Sequence, residues 1–355
     1  MPEIAATNDS DCVLITGGAG FIGSELVRQW LNEESDLVVN YDKLTYAGLE
    51  ASVEGLEEDP RYTFVQGDVA DPQQVAATLH EQLPRTIIHL AAESHVDRSI
   101  VEPPLFAQTN VLGTCVMLDA AKNYWQTLPN DRRRDFRFVL ISTDEVFGSA
   151  QPAEYFTAES PLRPSSPYSA SKAAAEHLAQ SFARTYGLPI NIINSTNNYG
   201  PRQLPEKLIP KMILSAFRSI PLTVYGNGLH ERDWLHVEDC CRGIRAVVRN
   251  GIVGRRYLLG SGRSRTNLEV VNTICEVTDQ ARSTGSSTRD LIQHIEDRPG
   301  HDQRYAVGAP AEELQWEPRT SFDEGIARTV EWYGDNPQWI ATARESLQKA
   351  STTRS

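Results

Sequence analysis

The sequence is poor in positive charge. Its 355 residues include 34 Lys and Arg against 47 Asp and Glu, a formal net charge of −13. A nucleic-acid backbone or an anionic membrane surface attracts proteins through a positive field, so we expect no nucleic-acid partner and no membrane adhesion. No segment approaches the ~20 continuous apolar residues of a membrane span, and the first residues lack the basic and apolar regions of a signal peptide. We therefore expect a cytoplasmic protein.

Cysteine is also scarce. The five cysteines are odd in number and show no C-x-x-C spacing; they are Cys12, Cys115, Cys240, Cys241 and Cys275. They lie in apolar or helical stretches, which favours reduced thiols in a reducing compartment. We expect neither a disulfide nor a metal site.

Short apolar runs alternate with segments of helical period between residues 12 and 200. Six runs are nearly continuous in Val, Ile and Leu, as strands buried on both faces require: CVLITG, DLVVNYD, YTFVQGD, TIIHLAA, RFVLIST and PINIINST. Helical periodicity covers residues 21–33, 71–82, 102–126 and 167–186. This alternation predicts an α/β fold with a Rossmann-like, doubly wound parallel sheet.

The pattern changes after residue 200. Residues 11–200 are predicted to form the sheet domain, and residues 201–340 a smaller mixed α/β substrate lobe with some segments returning to the sheet. Residues 282–288, RSTGSST, are predicted to be a mobile loop, and residues 341–355 a flexible tail.

A glycine-rich turn directly follows the first strand. Gly17 precedes the spacing Gly18-x-Gly20-x-x-Gly23, which opens the first helix. Such glycines permit a tight turn and close approach of the backbone to a pyrophosphate. Asp42 ends the second strand, where a carboxylate accepts both adenine-ribose hydroxyls and repels a 2′-phosphate, so NAD is favoured over NADP. The alternative is a glycine turn with a solvated aspartate.

A tyrosine and a lysine four residues apart occur in SSPYSASKAAAEHL. Ser166 and Pro167 suit the N-cap and first helical position, which places Tyr168 and Lys172 on one helical face. A cation beside the phenol would lower its pKa and make Tyr168 a base for an alcohol proton. Without the dinucleotide motif, a tyrosine on an ordinary surface helix would be the better interpretation.

Thr143, Asp144 and Glu145 stand where the strand RFVLIST ends. Ligands of open α/β sheets bind beyond the carboxyl ends of the strands, so this position favours a chemical role. When two carboxyl groups lie close together in a partly desolvated cleft, their pKa values can move apart, so that one group keeps its proton while the other is ionised. The alternative is a solvated acidic pair.

The motifs together resemble the extended short-chain dehydrogenase/reductase family over residues 12–335. They are TGGAGFIG, LAAESHVDRS, STDEVFG, YSASK, NNYG, PEKLIP, RDWLHVED and DRPGHDQRYA. TGGAGFIG and YSASK mark the superfamily, TDE marks its sugar-nucleotide 4,6-dehydratases, and DRPGHDQRY marks the thymidine-linked ones. The resemblance implies that tightly bound NAD takes and returns a hydride while water leaves a dTDP-linked glucose, giving the 4-keto-6-deoxy sugar.

The resemblance also implies roles for individual residues. Tyr168 would remove the 4-hydroxyl proton, assisted by Lys172, and Thr143 would donate to the 4-oxygen. Glu145 would be the base at C5 and Asp144 the acid at the departing C6 hydroxyl.

Binding residues and an assembly follow from the same resemblance. The cofactor would contact Gly17, Gly20, Phe21, Ile22, Gly23, Asp42, Lys43, Leu44, Thr45, Asp68, Val69, Leu90, Ala91, Ala92, Ser94, Thr109, Tyr168, Lys172 and Asn198. The nucleotide sugar would contact Ser94, Thr143, Asn197, Glu206, Lys207, Leu208, Leu222, Val224, Tyr225, Arg232, Asn267, Arg298 and His301. Helices near 102–126 and 167–186 would pair two subunits in a homodimer, although the first could equally be buried within one subunit.

Three other functions stay open. A nucleotide-sugar 4-epimerase or decarboxylase would retain NAD but would not need the Asp-Glu pair after Thr143. A non-catalytic NAD-binding module would be expected to have lost Tyr168, Lys172 or an acid. A dehydrogenase would release NADH. The family usually has Tyr at Phe147 and commonly has Tyr at Arg202, and such departures leave the nucleotide base open.

Overall fold

A seven-stranded parallel sheet forms the centre of the molecule. The structure is a computed structural model that describes residues 11–282, 287–297 and 299–352. The strands that it describes are β1 Cys12–Thr16, β2 Leu37–Asp42, β3 Tyr62–Gln66, β4 Thr86–His89, β5 Arg137–Thr143, β6 Ile190–Ser195, β7 Asn197–Tyr199, β8 Leu222–Tyr225, β9 Glu231–His236, β10 Arg256–Leu259, β11 Ser264–Thr266 and β12 Ile292–Ile295. The order in the central sheet is β10-β6-β5-β4-β1-β2-β3, and every neighbouring pair is parallel. The predicted doubly wound α/β fold is confirmed.

Helices cover the sheet. Those described are α1 Phe21–Glu33, α2 Pro72–Gln82, α3 Val96–Val101, α4 Pro103–Phe106, α5 Thr114–Thr127, α6 Asn130–Asp135, α7 Pro167–Tyr186, α8 Leu208–Phe217, α9 Val237–Asn250, α10 Asn267–Arg282, α11 Phe322–Asp335 and α12 Pro337–Thr352. Over this part of the chain, no helix has the length and apolar character needed to cross a membrane.

Alternate residues of each inner strand enter cores on opposite faces of the sheet. On β5, Phe138 and Leu140 join the core that α5 and α7 cover, whereas Val139 and Ile141 join the core that α9 covers. Continuous apolar runs are required because both faces are buried. The strand β3 is an exception: it forms the sheet edge, and Thr63, Phe64 and Gln66 are exposed. The expectation that every strand is buried on both faces is therefore wrong for β3.

The predicted helix 102–126 is interrupted. Helices α3 and α4 precede a π-helical segment, Ala107–Gly113, and only then does α5 begin. Pro103 and Pro104 cannot donate backbone hydrogen bonds, so a helix begins anew there. By contrast, α7 has the predicted bounds, with Ser166 capping it through a reciprocal bond pair with Ser169 and Pro167 in the first turn.

Side chains from α8, α10, α11 and α12 form a hydrophobic core separate from the two cores that flank the central sheet. The part of the chain after residue 200 that packs around this core is called the lobe below, and the predicted domain boundary at residue 200 stays a prediction. Small sheets accompany it, in the orders β11-β9-β7 and β12-β8, while β10 lies at the edge of the central sheet. Of the predicted mobile loop 282–288, residues 283–286 lie outside the described residues.

The predicted flexible tail 341–355 is wrong for residues 341–352, which continue α12. Trp339, Ile340 and Ala343 are buried there, a spacing that gives one helical face to the core. Trp339 Nε1 donates to Ser52 Oγ at 3.1 Å. Ser346 Oγ donates to the carbonyl of Tyr46 at 3.1 Å. The last helix therefore supports the segment that follows β2; residues 353–355 lie outside the described residues.

Candidate active site

The turn between β1 and α1 has room only for glycine at several positions. Gly17 has φ +72°, and a Cβ on Gly23 would meet the carbonyl oxygen of Gly17 at 2.1 Å. A Cβ on Gly18 would meet Asn40 Oδ1 at 2.2 Å. The turn is thus packed closely against both α1 and β2, and it brings the N-terminus of α1 to the edge of the sheet, where its free N–H groups suit an anion.

Asp42 lies beside this turn. Its two carboxylate oxygens accept the backbone N–H groups of Ala19 at 2.9 Å and Leu44 at 2.8 Å. Burial raises the pKa of Asp42, and the two backbone hydrogen bonds act against that rise. The carboxylate is therefore held in one orientation at the end of β2, as the ribose of a dinucleotide requires.

A cleft runs from this turn to the end of β5. It is lined by every predicted cofactor position except Leu44 and Asn198, and also by the predicted substrate residues Ser94, Glu206 and Lys207. Asn198 instead donates to Ser195 Oγ at 2.8 Å and to the carbonyl of Thr196 at 2.9 Å. The sequence analysis missed the lining residues Tyr41, Ala47, Gly48, Gly67, Glu93, Leu105, Ile141, Ser142, Gln203 and Leu204.

Several of the missed residues adjoin strand ends, so the strand boundaries could have indicated them. Tyr41, Ile141 and Ser142 are near the ends of β2 and β5, and Gly67 follows β3. Glu93 is different, because its carboxylate is buried and Oε2 has no hydrogen-bond partner among the described residues. A glycine turn, a fixed Asp42 and an unpartnered carboxylate oxygen in the cleft fit a polar ligand such as a dinucleotide.

Tyr168 and Lys172 lie on one face of α7 at the cleft. Both are buried, and Lys172 Nζ donates to the carbonyl of Ile141 at 2.6 Å. Burial lowers the pKa of Lys172 to about 8, an effect that the charge of Glu176 opposes.

The pKa of Tyr168 is raised, opposite to the expected direction. Burial is the main cause, and the charges of Glu145 and Asp144 add to it, while a hydrogen bond with Thr143 lowers the pKa. Lys172 is not among the causes that shift this pKa, and its Nζ donates to a backbone carbonyl, so the protein by itself does not supply the expected stabilisation of the phenolate.

Thr143, Asp144 and Glu145 occupy the end of β5 and the 3₁₀ turn that follows. Thr143 Oγ1 donates to Asp144 Oδ1 and accepts the N–H of Glu145, both at 3.3 Å. Glu145 is half-buried, whereas Asp144 is 1% exposed. These two carboxylates are called the acidic pair below.

Asp144 is set apart from its neighbour by its surroundings. Burial raises its pKa well above the ordinary value, and the charges of Glu145 and Asp233 raise it further. Its Oδ2 accepts no hydrogen bond from the residues that the structure describes. Asp144 is therefore suited to hold a proton at neutral pH and to present it to a ligand.

The loop before α8 joins the lobe to the sheet. Lys207 Nζ donates to the carbonyl of Ser94 at 2.8 Å, and Tyr46 donates to Glu206 at 3.2 Å. The second carboxylate oxygen of Glu206 lies 3.6 Å from His95 Nε2. Asn197 Oδ1 is buried without a partner among the described residues, and Leu208 begins α8.

The remaining predicted substrate residues are spread through the lobe. Arg232 is buried, donates to the carbonyls of Glu231 and Asp302 at 2.7 and 2.8 Å, and stands 4.2 Å from the ring centroid of Tyr305. Leu222 and Val224 belong to the lobe core and Asn267 is buried, whereas Tyr225 is half-buried and bonds Asp97 at 3.3 Å. Arg298 lies outside the described residues.

His301 forms a cluster with His230 and Asp297. The two imidazole rings stack with centroids 3.7 Å apart, and the Asp297 carboxylate lies 2.7 Å from His301 and 3.1 Å from His230. Their ligand atoms lie within 4.8 Å of one another, close enough for a metal ion. The contacts of both imidazoles with the Asp297 carboxylate already account for this grouping, and the expectation of no metal site stays a prediction.

Comparison with known proteins agrees with this geometry. Residues 14–329 match the family model described as GDP-mannose 4,6 dehydratase. The chain is 47% identical over 349 residues to the dTDP-glucose 4,6-dehydratase of Salmonella typhimurium, covering 95% of this chain and 97% of that protein. It is 49% identical over 331 residues to the enzyme of the same name from Neisseria gonorrhoeae, covering 91% and 96%. The chain belongs to the sugar-nucleotide 4,6-dehydratase family. The predicted resemblance is confirmed.

Solved structures of this family have the same fold. The dTDP-glucose 4,6-dehydratase of Streptomyces venezuelae, crystallised with NAD and TYD, superposes with a TM-score of 0.84 at 40% identity, covering 94% of this chain and 99% of that chain. The Bacillus anthracis enzyme, in complex with NAD, gives a TM-score of 0.83 at 38% identity, covering 94% and 100%. A Thermus thermophilus UDP-glucose 4-epimerase is more distant in sequence, with 28% identity over 91% of this chain and 99% of that chain and a TM-score of 0.80.

Because the pKa of Asp144 is raised, we expect the folded protein to become more stable when Asn replaces Asp144. The folded protein holds the Asp144 proton more tightly than the unfolded chain, so its stability falls as the pH rises from about 4 through the raised pKa. Asp144→Asn removes this penalty, and each unit of raised pKa corresponds to about 1.4 kcal/mol. We expect the variant to have the higher thermal midpoint at pH ~8, with the difference vanishing near pH ~4.

The control for this measurement is Asp290→Asn, because Asp290 is exposed in the lobe. Its thermal midpoint should follow that of the unmodified protein at every pH. Equal or lower stability of Asp144→Asn at pH ~8 would show that Asp144 is ionised in the folded protein without penalty.

Proposed function

We propose that this protein is an NAD-dependent dTDP-glucose 4,6-dehydratase, a hydro-lyase that converts dTDP-glucose into dTDP-4-keto-6-deoxyglucose and water. The observation that carries the proposal is the acidic pair at the end of β5, with the Asp144 carboxyl buried so that its pKa is raised, and the Glu145 carboxyl half-buried near Tyr168. The names of the relatives support the same reaction.

The cofactor residues are proposed from the cleft. Gly17, Gly20 and Gly23 would hold the pyrophosphate of NAD against the N-terminus of α1, and Asp42 would accept the ribose hydroxyls. When bound, NAD supplies a temporary acceptor for the C4 hydride of the sugar. After water has left, the same hydride would return to C6 while C5 is reprotonated, so no net NADH would be released.

The remaining steps belong to side chains of this chain. Tyr168 removes the proton of the 4-hydroxyl group, and the Thr143 hydroxyl would turn from Asp144 Oδ1 to donate its hydrogen bond to the 4-oxygen instead. The 4-ketone acidifies the hydrogen on C5, which Glu145 removes as general base. Asp144 protonates the departing C6 hydroxyl as general acid. The raised pKa of Asp144 and the half-exposed position of Glu145 support this division of roles.

The nucleotide is proposed to bind in the lobe. Lys207, Arg232, Arg298 and His301 would offset the charge of the diphosphate, with Ser94, Asn197, Glu206, Leu208 and Asn267 near the sugar nucleotide. Arginine suits this task because its guanidinium group can bind two phosphate oxygens at once. The β8 residues Leu222, Val224 and Tyr225 would flank the base. Since Leu222 and Val224 are buried in the lobe core, they would do so through their backbone.

The alternative enzyme is a nucleotide-sugar 4-epimerase, since an epimerase has the same fold at a TM-score of 0.80. The acidic pair favours the dehydratase, because an epimerase removes no water and needs no acid at C6. We also propose a cytoplasmic location, because all five cysteines are free thiols.

The reaction can be tested with purified protein. Incubation with dTDP-glucose and, separately, UDP-, GDP- and CDP-linked glucose is followed by mass spectrometry. We expect dTDP-glucose alone to give a product lighter by one water, with no net growth of the reduced-nicotinamide absorbance. A product of unchanged mass would favour the epimerase, and no product from any substrate would contradict the proposal.

Glu145→Gln separates oxidation from elimination. Without a base at C5, C4 oxidation should still occur but water loss should slow by about 100-fold or more. Reduced nicotinamide would therefore accumulate and be seen by absorbance. The matched control is Glu159→Gln, an exposed residue between β5 and α7 that should leave turnover unchanged. Full turnover by Glu145→Gln would remove its proposed role.

A homodimer is proposed through α7 and the segment before α5. Exposed apolar side chains on these elements are Ile100, Val101, Leu112 and Tyr186. Because α3 and the segment before α5 pack against α7, these side chains belong to neighbouring elements, and an apolar patch formed by them would favour a protein interface. We expect Leu112→Glu to shift the mass measured by light scattering from dimer to monomer. Leu229→Glu, at a similarly exposed leucine of the lobe, should remain a dimer; a dimer with both variants would contradict this interface.

A further inference from the structure

A buried ion pair joins α7 to the last strand of the central sheet. Glu176 is fully buried, and its Oε2 accepts a hydrogen bond from Arg256 Nη2 at 2.7 Å. Arg256 Nη1 donates to the carbonyl of Ala158 at 2.9 Å, and the guanidinium lies 5.6 Å from the ring centroid of Phe147. A pair withdrawn from water in this way is costly unless its geometry is good, so it gives little stability by itself. The hydrogen bonds that connect the pair to the end of β5 are more informative about function.

The pair is connected to the end of β5. Asn194, on the neighbouring strand β6, donates from Nδ2 to Glu176 Oε1 at 2.6 Å and to the carbonyl of Thr143 at 2.9 Å. Thr143 directly precedes the acidic pair. A chain of hydrogen bonds therefore runs from Arg256 through Glu176 and Asn194 to the backbone that carries the carboxylates.

The same helix is fastened to β5 at a second point. Lys172, one turn before Glu176, donates to the carbonyl of Ile141, two residues before Thr143. Two buried side chains of α7 thus hold the last residues of one strand, one directly and one through Asn194. None of Glu176, Arg256 and Asn194 is among the residues that line the cleft.

The charge of Glu176 also acts on Lys172. Burial lowers the pKa of Lys172 and the negative charge of Glu176 raises it, and the resulting pKa is about 8. Two other titratable groups are near Lys172. One is His89 of β4, whose pKa is lowered to about 3 by burial and by the charge of Lys172. The other is Tyr168, one helical turn earlier, whose pKa is raised by the charges of the acidic pair. Of these, Glu176 is the group whose charge favours the ammonium form of Lys172.

We propose that Glu176 is a positioning residue for the reaction. It keeps Lys172 charged beside Tyr168 and, through Asn194, fixes the Thr143 carbonyl so that the acidic pair keeps its place. The inference rests on the proposed function, because Lys172 and the acidic pair are assigned there.

The test uses two variants and single-turnover kinetics with dTDP-glucose. Glu176→Gln leaves Arg256 buried without a charged partner, so Glu176→Gln/Arg256→Gln is made beside it. C4 oxidation is followed by reduced-nicotinamide absorbance across pH, and water loss by mass. Because both variants lose the carboxylate, the alkaline limb of C4 oxidation should move to lower pH by roughly one to three units. Water loss should slow about tenfold or more, and KM should stay near that of the unmodified enzyme.

Glu176→Asp keeps the carboxylate and should restore the alkaline limb, a result that a merely structural role would not give. Glu159→Gln, which removes an exposed carboxylate, should show the unmodified profile. A pH profile and water-loss rate of the double variant that match those of the unmodified enzyme overturn the inference. Failure of the unmodified protein to release water from dTDP-glucose overturns the proposed function instead.

Discussion

Exclusion of water from the edge of the sheet where β5 ends is the main cause of the shifted pKa values of Asp144, Tyr168 and Lys172. Burial disfavours whichever form of a group is charged, so one cause acts in opposite directions on acids and bases. It raises the pKa of Asp144 and Tyr168 and lowers that of Lys172. The site therefore holds a carboxyl group and a lysine whose charged forms burial disfavours; the charges of Glu145 and Asp233 add to the effect at Asp144, and the charge of Glu176 opposes it at Lys172.

Local signals made much of this arrangement predictable. The glycine turn after β1 is required by backbone clashes that no other residue avoids, and Asp42 follows it at the end of the next strand. Tyr168 and Lys172 share a face because both lie on a single helix whose cap was readable from Ser166 and Pro167. In a parallel sheet these strand and helix ends meet at one edge, so their convergence follows from the fold class.

Features that depend on distant contacts could not be predicted. Glu176 and Arg256 are 80 residues apart, and nothing near either residue indicates a buried pair. The raised pKa of Tyr168 depends on its burial and on the nearby charges of Glu145 and Asp144, which the spacing on α7 does not reveal. The exposure of β3 depends on its place at the sheet edge, since its own sequence resembles that of the inner strands. The helix through Thr352 was predictable in principle from Trp339, Ile340 and Ala343.

One wall of the cleft is supported by α12, a helix that is synthesised much later than the wall itself. Its bonds to Ser52 and to the carbonyl of Tyr46 support the segment that contributes Ala47 and Gly48 to the cleft wall. Chains are made from the N-terminus and their domains generally fold in that order, so the nucleotide turn forms long before this support exists. A ribosome-bound chain can thus shape the glycine turn, but the wall that Ala47 and Gly48 form is completed only after α12 has been synthesised.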